Sequence, residues 1–161
     1  MRISPTGNSA RGVTLMELMV VLAIIAIVVA VALPSTLNGL ENIRLASGAQ
    51  SVAAFMTSAL NRAQRHEQAL ELSVSIKENA MLVRSADSSY VKKLVLPPGI
   101  RVQSVTPAME EPSDAPRRFL FLPGGAPPRV GIEIADKRGA RRTVRLDPIT
   151  GIARIDRPGA Q

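Results

Sequence analysis

The strongest constraint on the fold is a run of sixteen apolar residues, Leu18 to Leu33, entered through Thr14-Leu15-Met16-Glu17 and closed by Pro34. A helix over Val13–Leu33, rising about 1.5 Å per residue, covers roughly 30 Å, the thickness of a bilayer's hydrocarbon core. Arg2 and Arg11 precede the run, and the first charges beyond it are Glu41 and Arg44. That bias predicts a cytoplasmic N-terminus, with the rest of the chain across the membrane. Glu17 is the anomaly, because an ionisable group at bilayer depth costs about 2.5–3.5 kcal/mol or more and is usually retained for function.

Two plainer readings compete. Ala30-Val31-Ala32 fits the small-residue cleavage site of a secretory signal peptide, but such a signal would not carry Glu17 inside so long an apolar core. A simple single-span anchor accounts for the length and leaves Glu17 without a role.

The segment Arg11-Gly12-Val13-Thr14-Leu15-Met16-Glu17 resembles the N-terminus of type IV pilins and type II secretion pseudopilins. In those proteins a short basic leader ends in Gly and is followed by a Thr-Leu-x-Glu segment that opens a long apolar helix. Gly12 matches the residue before the cut, Val13 the new N-terminus and Glu17 the acid at the fifth mature position. Val13 stands where the family most often has Phe. The resemblance implies that a prepilin peptidase cleaves after Gly12 and methylates the amino group of Val13. It also implies that Glu17 serves assembly, neutralising the N-terminus of a neighbouring subunit in a helix bundle. The expected organisation is a leader over 1–12, a transmembrane and filament-core helix over 13–34, an amphipathic continuation over 35–67 and a soluble β-rich domain over 68–161.

The continuation is legible in Leu37, Leu40, Leu45, Ala49, Val52, Met56, Leu60 and Ala63, which recur every three to five residues and predict one stripe packed on a sheet. Pro34, Gly39 and Gly48 are expected to weaken or bend the helix. After about residue 68 the period changes to alternation. Leu72, Val74 and Ile76 lead through Lys77-Glu78-Asn79 into Met81-Leu82-Val83 as a hairpin. Further strands are expected at 90–96, 100–105, 118–122, 130–135, 142–147 and 152–156, separated by Gly- and Pro-rich turns. The fold class is therefore α+β, a long helix followed by an antiparallel sheet or sandwich of about eight short strands. The segment Thr106–Arg117, with three prolines, reads as a surface loop.

Phe121-Leu122-Pro123-Gly124-Gly125 and Val144-Arg145-Leu146-Asp147-Pro148-Ile149-Thr150-Gly151-Ile152 are similar to segments of the GspH/FimT family of minor pseudopilins and minor pilins. That resemblance implies a structural subunit of the type II secretion pseudopilus, cut by a prepilin peptidase. Its partners would be other major and minor pseudopilins and an inner-membrane assembly platform, and it would need no cofactor. Its location would be the inner membrane, with the C-terminal domain periplasmic.

Subtracting Arg2 and Arg11 from the formal charge of +7 leaves +5, much of it late in the chain. Arg141, Arg142, Arg145, Arg154 and Arg157 could contact phosphates, and this is the alternative reading: a minor type IV pilin for pilus assembly or DNA uptake. Glu133, Asp136, Asp147 and Asp156 are interleaved with them, and one Tyr and three Phe supply few stacking platforms. The blander reading is a solvated sheet face. Cysteine is absent and the one histidine, His66, lies between Arg65 and Glu67, which removes zinc clusters and Cys/His nucleophile pairs. No Asp/Asn-rich calcium loop is present. No enzyme is expected.

Overall fold

A computed structural model describes residues 14–108 and 115–156, with the backbone alone described at 31 and 33–38. Two compact units emerge, Met1–Gly39 and Leu40–Gln161. Helix α1, Leu15–Arg65, runs unbroken through Pro34, Gly39 and Gly48, so the expected weakening does not interrupt it. Gly48 has a packing reason instead. It is buried, and a Cβ there would lie 3.5 Å from both Ile100 and Ile134.

In the first unit the described side chains from Thr14 to Ala30 are exposed. Among the described residues no helix is long and apolar enough to cross a membrane. Of the span expected over 13–34, Val13 and the side chains at 31, 33 and 34 lie outside the described residues.

The second unit adds eight strands: β1 Leu70–Ser75, β2 Ala80–Ser85, β3 Val91–Val95, β4 Arg101–Thr106, β5 Arg117–Phe121, β6 Gly131–Ala135, β7 Arg141–Leu146 and β8 Ala153–Asp156. Each lies within about two residues of its expected position, the order of uncertainty of any strand boundary read from pattern. They form two antiparallel sheets, ordered β3-β2-β1-β5 and β4-β6-β7-β8. The chain thus enters the second sheet with β4, returns to the first with β5 and finishes in the second. Alternation selects the large apolar side chains of the buried faces: Leu70, Leu72 and Val74 on β1, Ile132 and Ile134 on β6, Val144 and Leu146 on β7.

These side chains join Leu45, Ala49, Val52, Met56, Leu60 and Ala63 of α1 in one apolar cluster. Two details correct the expected stripe. Leu40 is exposed, and Phe55 and Ala59 are buried beside it. One helix contributes to a core built from both sheets, so its apolar arc must be wider than a single row.

Asn79 ties the sheets together. It takes φ 51 in the β1–β2 turn, a left-handed conformation that Asn tolerates better than most residues. Its side chain donates to Ile100 O and accepts from Val102 N, both at 2.8 Å.

Candidate functional site

The first candidate site is the start of α1. Thr14 is its N-cap: Thr14 Oγ1 accepts from Glu17 N at 3.2 Å, and Thr14 O accepts from Leu18 N at 3.1 Å. Thr-x-x-Glu at these positions is the spacing of a capping box, and a carboxylate in the first turn complements the positive end of the helix dipole. The placement gives Glu17 a local role that its sequence anomaly did not suggest. It is exposed, and its position at the cap sets it at the entry of the apolar run. Gly12 and Val13, the expected cleavage and methylation positions, lie outside the described residues.

The second candidate is the set of late arginines. Arg141 and Arg145 share the outward face of β7, where Arg145 stands opposite Arg154 on β8. Each has an acidic neighbour: Arg141 Nη1 lies 3.1 Å from Glu133 Oε1, Arg145 Nε 3.8 Å from Asp156 Oδ2 and Arg154 Nη2 3.4 Å from Asp147 Oδ2. Glu133 also accepts from Ser104 Oγ at 3.0 Å. Such exposed pairs add about 0–1 kcal/mol of stability each, yet they lower the positive potential available to a phosphate chain. Arg142 does not share this face. It alternates onto the side of Val144 and Leu146 and is half-buried at the end of the strand. Arg157 lies outside the described residues. Among the four described arginines, Arg142 is set apart from Arg141, Arg145 and Arg154, because the strand's two-residue period turns it to the other side.

The turns flanking these strands are tightly built. Asp147 Oδ1 accepts from Ile149 N and Thr150 N at 2.9 and 3.0 Å, and Gly151 N donates to Asp147 O at 2.8 Å. The Thr150 and Ile149 backbone N–H groups, with the Arg154 guanidinium, hold the Asp147 carboxyl below its ordinary range. In the β2–β3 turn, the hydroxyls of Ser85 and Ser89 and the Ser89 N–H bring Asp87 down to about 2. This second turn had no signal in the sequence beyond its Ser-rich composition.

Enzymatic geometry does not appear among the described residues. His66 is exposed in the turn after α1, and no group of three or more His, Cys, Asp or Glu is arranged to hold a metal. Clefts are present among the described residues. One, about 110 Å³, is lined by Glu41, Arg44, Pro98, Gly99, Ile100, Asp136 and Lys137; another, about 250 Å³, lies beside Glu71, Arg84 and Leu120. Of the 106–117 loop, residues 109–114 lie outside the described residues.

Comparison with known proteins agrees with both halves of the chain. Residues 7–33 match the prokaryotic N-terminal methylation motif. The fold is similar to that of the minor pseudopilin EpsH from the type 2 secretion system of Vibrio cholerae, with a TM-score of 0.55 and 16% identity, over 72% of this chain and 98% of that one. No curated protein matches the sequence. A pilin-type methylation motif thus precedes a globular domain with the fold of a minor pseudopilin.

Proposed function

We propose that the chain is an H-type minor pseudopilin of type II secretion, a structural subunit that enters a short periplasmic filament helping to export folded proteins. The observation that carries the reading is the methylation motif at residues 7–33 joined to an EpsH-like fold. On this reading a prepilin peptidase cuts after Gly12 and methylates Val13. The apolar helix then spans the inner membrane until assembly, at a platform in that membrane, moves it into a bundle with other pseudopilins. In lipid the new positive N-terminus lacks a partner; in a dry bundle the Glu17 carboxylate of a neighbour supplies one, which sets register. The capped first turn supports this, because Thr14 orients the first turn that carries Glu17.

The alternative, a minor type IV pilin for pilus assembly or DNA uptake, shares the leader and the helix. The acid-paired arginines of β7 and β8 count against its DNA-binding form.

Intact-mass measurement on protein from its native membrane tests the first step. A chain beginning at Val13 with one added methyl is expected, whereas a chain beginning at Leu33 would establish an ordinary signal peptide. Gly12→Leu should leave the full-length chain. Glu17→Ala should be processed normally but fail to enter filaments. Deleting the gene should strand secreted proteins in the periplasm; normal secretion with loss of pili or of transformation would assign the alternative.

A further inference from the structure

The two sheets present very different outward faces. On the β4-β6-β7-β8 sheet the outward side chains are polar or small: Arg141, Thr143 and Arg145 on β7 stand beside Ala135, Glu133 and Gly131 on β6. On the other sheet the register builds rows that mix aliphatic and cationic groups. One row runs Val91, Arg84, Glu71, Leu120 across β3, β2, β1 and β5. The next runs Lys93, Leu82, Ser73, Arg118. Val95 continues the aliphatic side on β3. Val91, Val95 and Leu120 are 60%, 62% and 52% exposed, whereas the opposite side of the sheet buries Leu70, Leu72, Val74, Met81, Val83 and Phe121.

We propose that this outward face of β3-β2-β1-β5 docks an acidic, aliphatic surface of a different protein chain. The charge balance selects the partner. Arg84, Lys93 and Arg118 face outward with one carboxylate among them in these two rows, Glu71, which lies 3.0 Å from Arg84 and 3.8 Å from Arg118. The face keeps a surplus of positive charge around exposed aliphatic side chains, and its complement is a surface of Asp or Glu around aliphatic side chains. The cleft of about 250 Å³ beside Arg84 and Leu120 gives a projecting side chain a place to enter.

A second copy is a poor occupant. A twofold pairing of this face would set its cations against themselves. Elsewhere, Glu133, Asp147 and Asp156 are already engaged by arginines of the opposite sheet. Nucleic acid is disfavoured because these rows carry no aromatic ring on which a base could stack. An anionic bilayer is disfavoured by Glu71 at the centre of the patch and by the concave cleft. The inference does not depend on the pseudopilin reading, since it rests on side-chain parity and charge in the globular unit.

The test places the photo-crosslinking residue benzoylphenylalanine at Leu120 in the full-length chain in its native cells, with Thr143 on the opposite sheet as control. The expected result is an adduct at Leu120, at least tenfold above Thr143, with a different protein whose crosslinked peptide carries Asp or Glu beside aliphatic residues. The double variant Lys93→Glu/Arg118→Glu, melting as the parent does, should lower the yield at least tenfold, and converting the partner's carboxylates to Lys should restore it. A dimer-mass adduct of this chain would assign the face to a second copy, and a lipid-only adduct to the membrane. A nucleic-acid adduct, a partner peptide without carboxylates, a yield indifferent to charge reversal, or no adduct would each overturn the proposal. The N-terminal mass is read separately, so either inference can fail alone.

Discussion

Gly151 offers a quantitative check on how α1 seats against the second sheet. Its φ is +68, and a Cβ there would overlap Leu60 Cδ2 of the helix, with Pro127 Cγ 3.4 Å away. Gly139 provides the control, having φ +86 and nothing within 4 Å of an added Cβ. At both sites Ala meets a left-handed backbone costing about 1–2 kcal/mol, partly offset by roughly 0.4–1 kcal/mol from a less flexible unfolded chain. Gly139→Ala should therefore destabilise by about 0.5–1 kcal/mol. Gly151→Ala adds the displacement of Leu60, which is 4% exposed and so has little room to rotate away. Overpacking of that kind costs about 1–3 kcal/mol, for a total near 2–4 kcal/mol. With an unfolding entropy of about 2.1 cal/mol/K per residue over about 120 residues, each kcal/mol moves Tm by about 4 °C. Calorimetry of the detergent-solubilised chain should show drops of about 2–4 °C at Gly139 and 8–16 °C at Gly151. Leu60→Ala should be milder in the Gly151→Ala background than alone, by about 1–3 kcal/mol. Equal drops at the two glycines, or strict additivity with Leu60→Ala, would refute the contact.

Three further outcomes are expected. Met56 is fully buried, so Met56→Asp should abolish the cooperative melting transition, because it places a carboxylate among apolar groups without a partner. Asn79→Ala removes two hydrogen bonds between the β1–β2 turn and β4 and should cost about 2–4 kcal/mol by calorimetry, mostly through the groups left unpaired. Asp87, lowered to about 2 by Ser85 and Ser89, should contribute stability that is complete above its unfolded value near 4 and is lost as pH falls through about 2. Asp87→Asn should flatten the fall in Tm across that window, and an unchanged acid profile would show that the serine cage does not act on stability.

The division between what could be read from the chain and what could not follows the range of the interactions. Alternation over four to six residues marked the eight strands from Leu70 to Asp156, and the spacing of Ala49, Val52, Met56 and Leu60 marked the buried side of α1. Gly12, Val13 and Glu17 were found as a local motif, and their region matches a methylation motif at residues 7–33. Composition could not show how the arginines of β7 and β8 are arranged: strand parity turns Arg142 away from Arg141 and Arg145, and Glu133, Asp156 and Asp147 stand beside Arg141, Arg145 and Arg154.

By itself, the sequence determined local period and local chemistry: an apolar helix with Glu17 near its start, an amphipathic continuation, and short alternating strands. The tertiary structure alone decided that β5 joins β1 while β4 joins β6, that Asn79 bonds to β4, and that Val91, Arg84, Glu71 and Leu120 stand in one row. Residues 71 and 120 are far apart in the chain, and nothing local to either records the other. Their adjacency arises when two sheets and one helix must bury their apolar faces together. That shared burial sets which strands pair, and pairing sets which side chains meet on the surface.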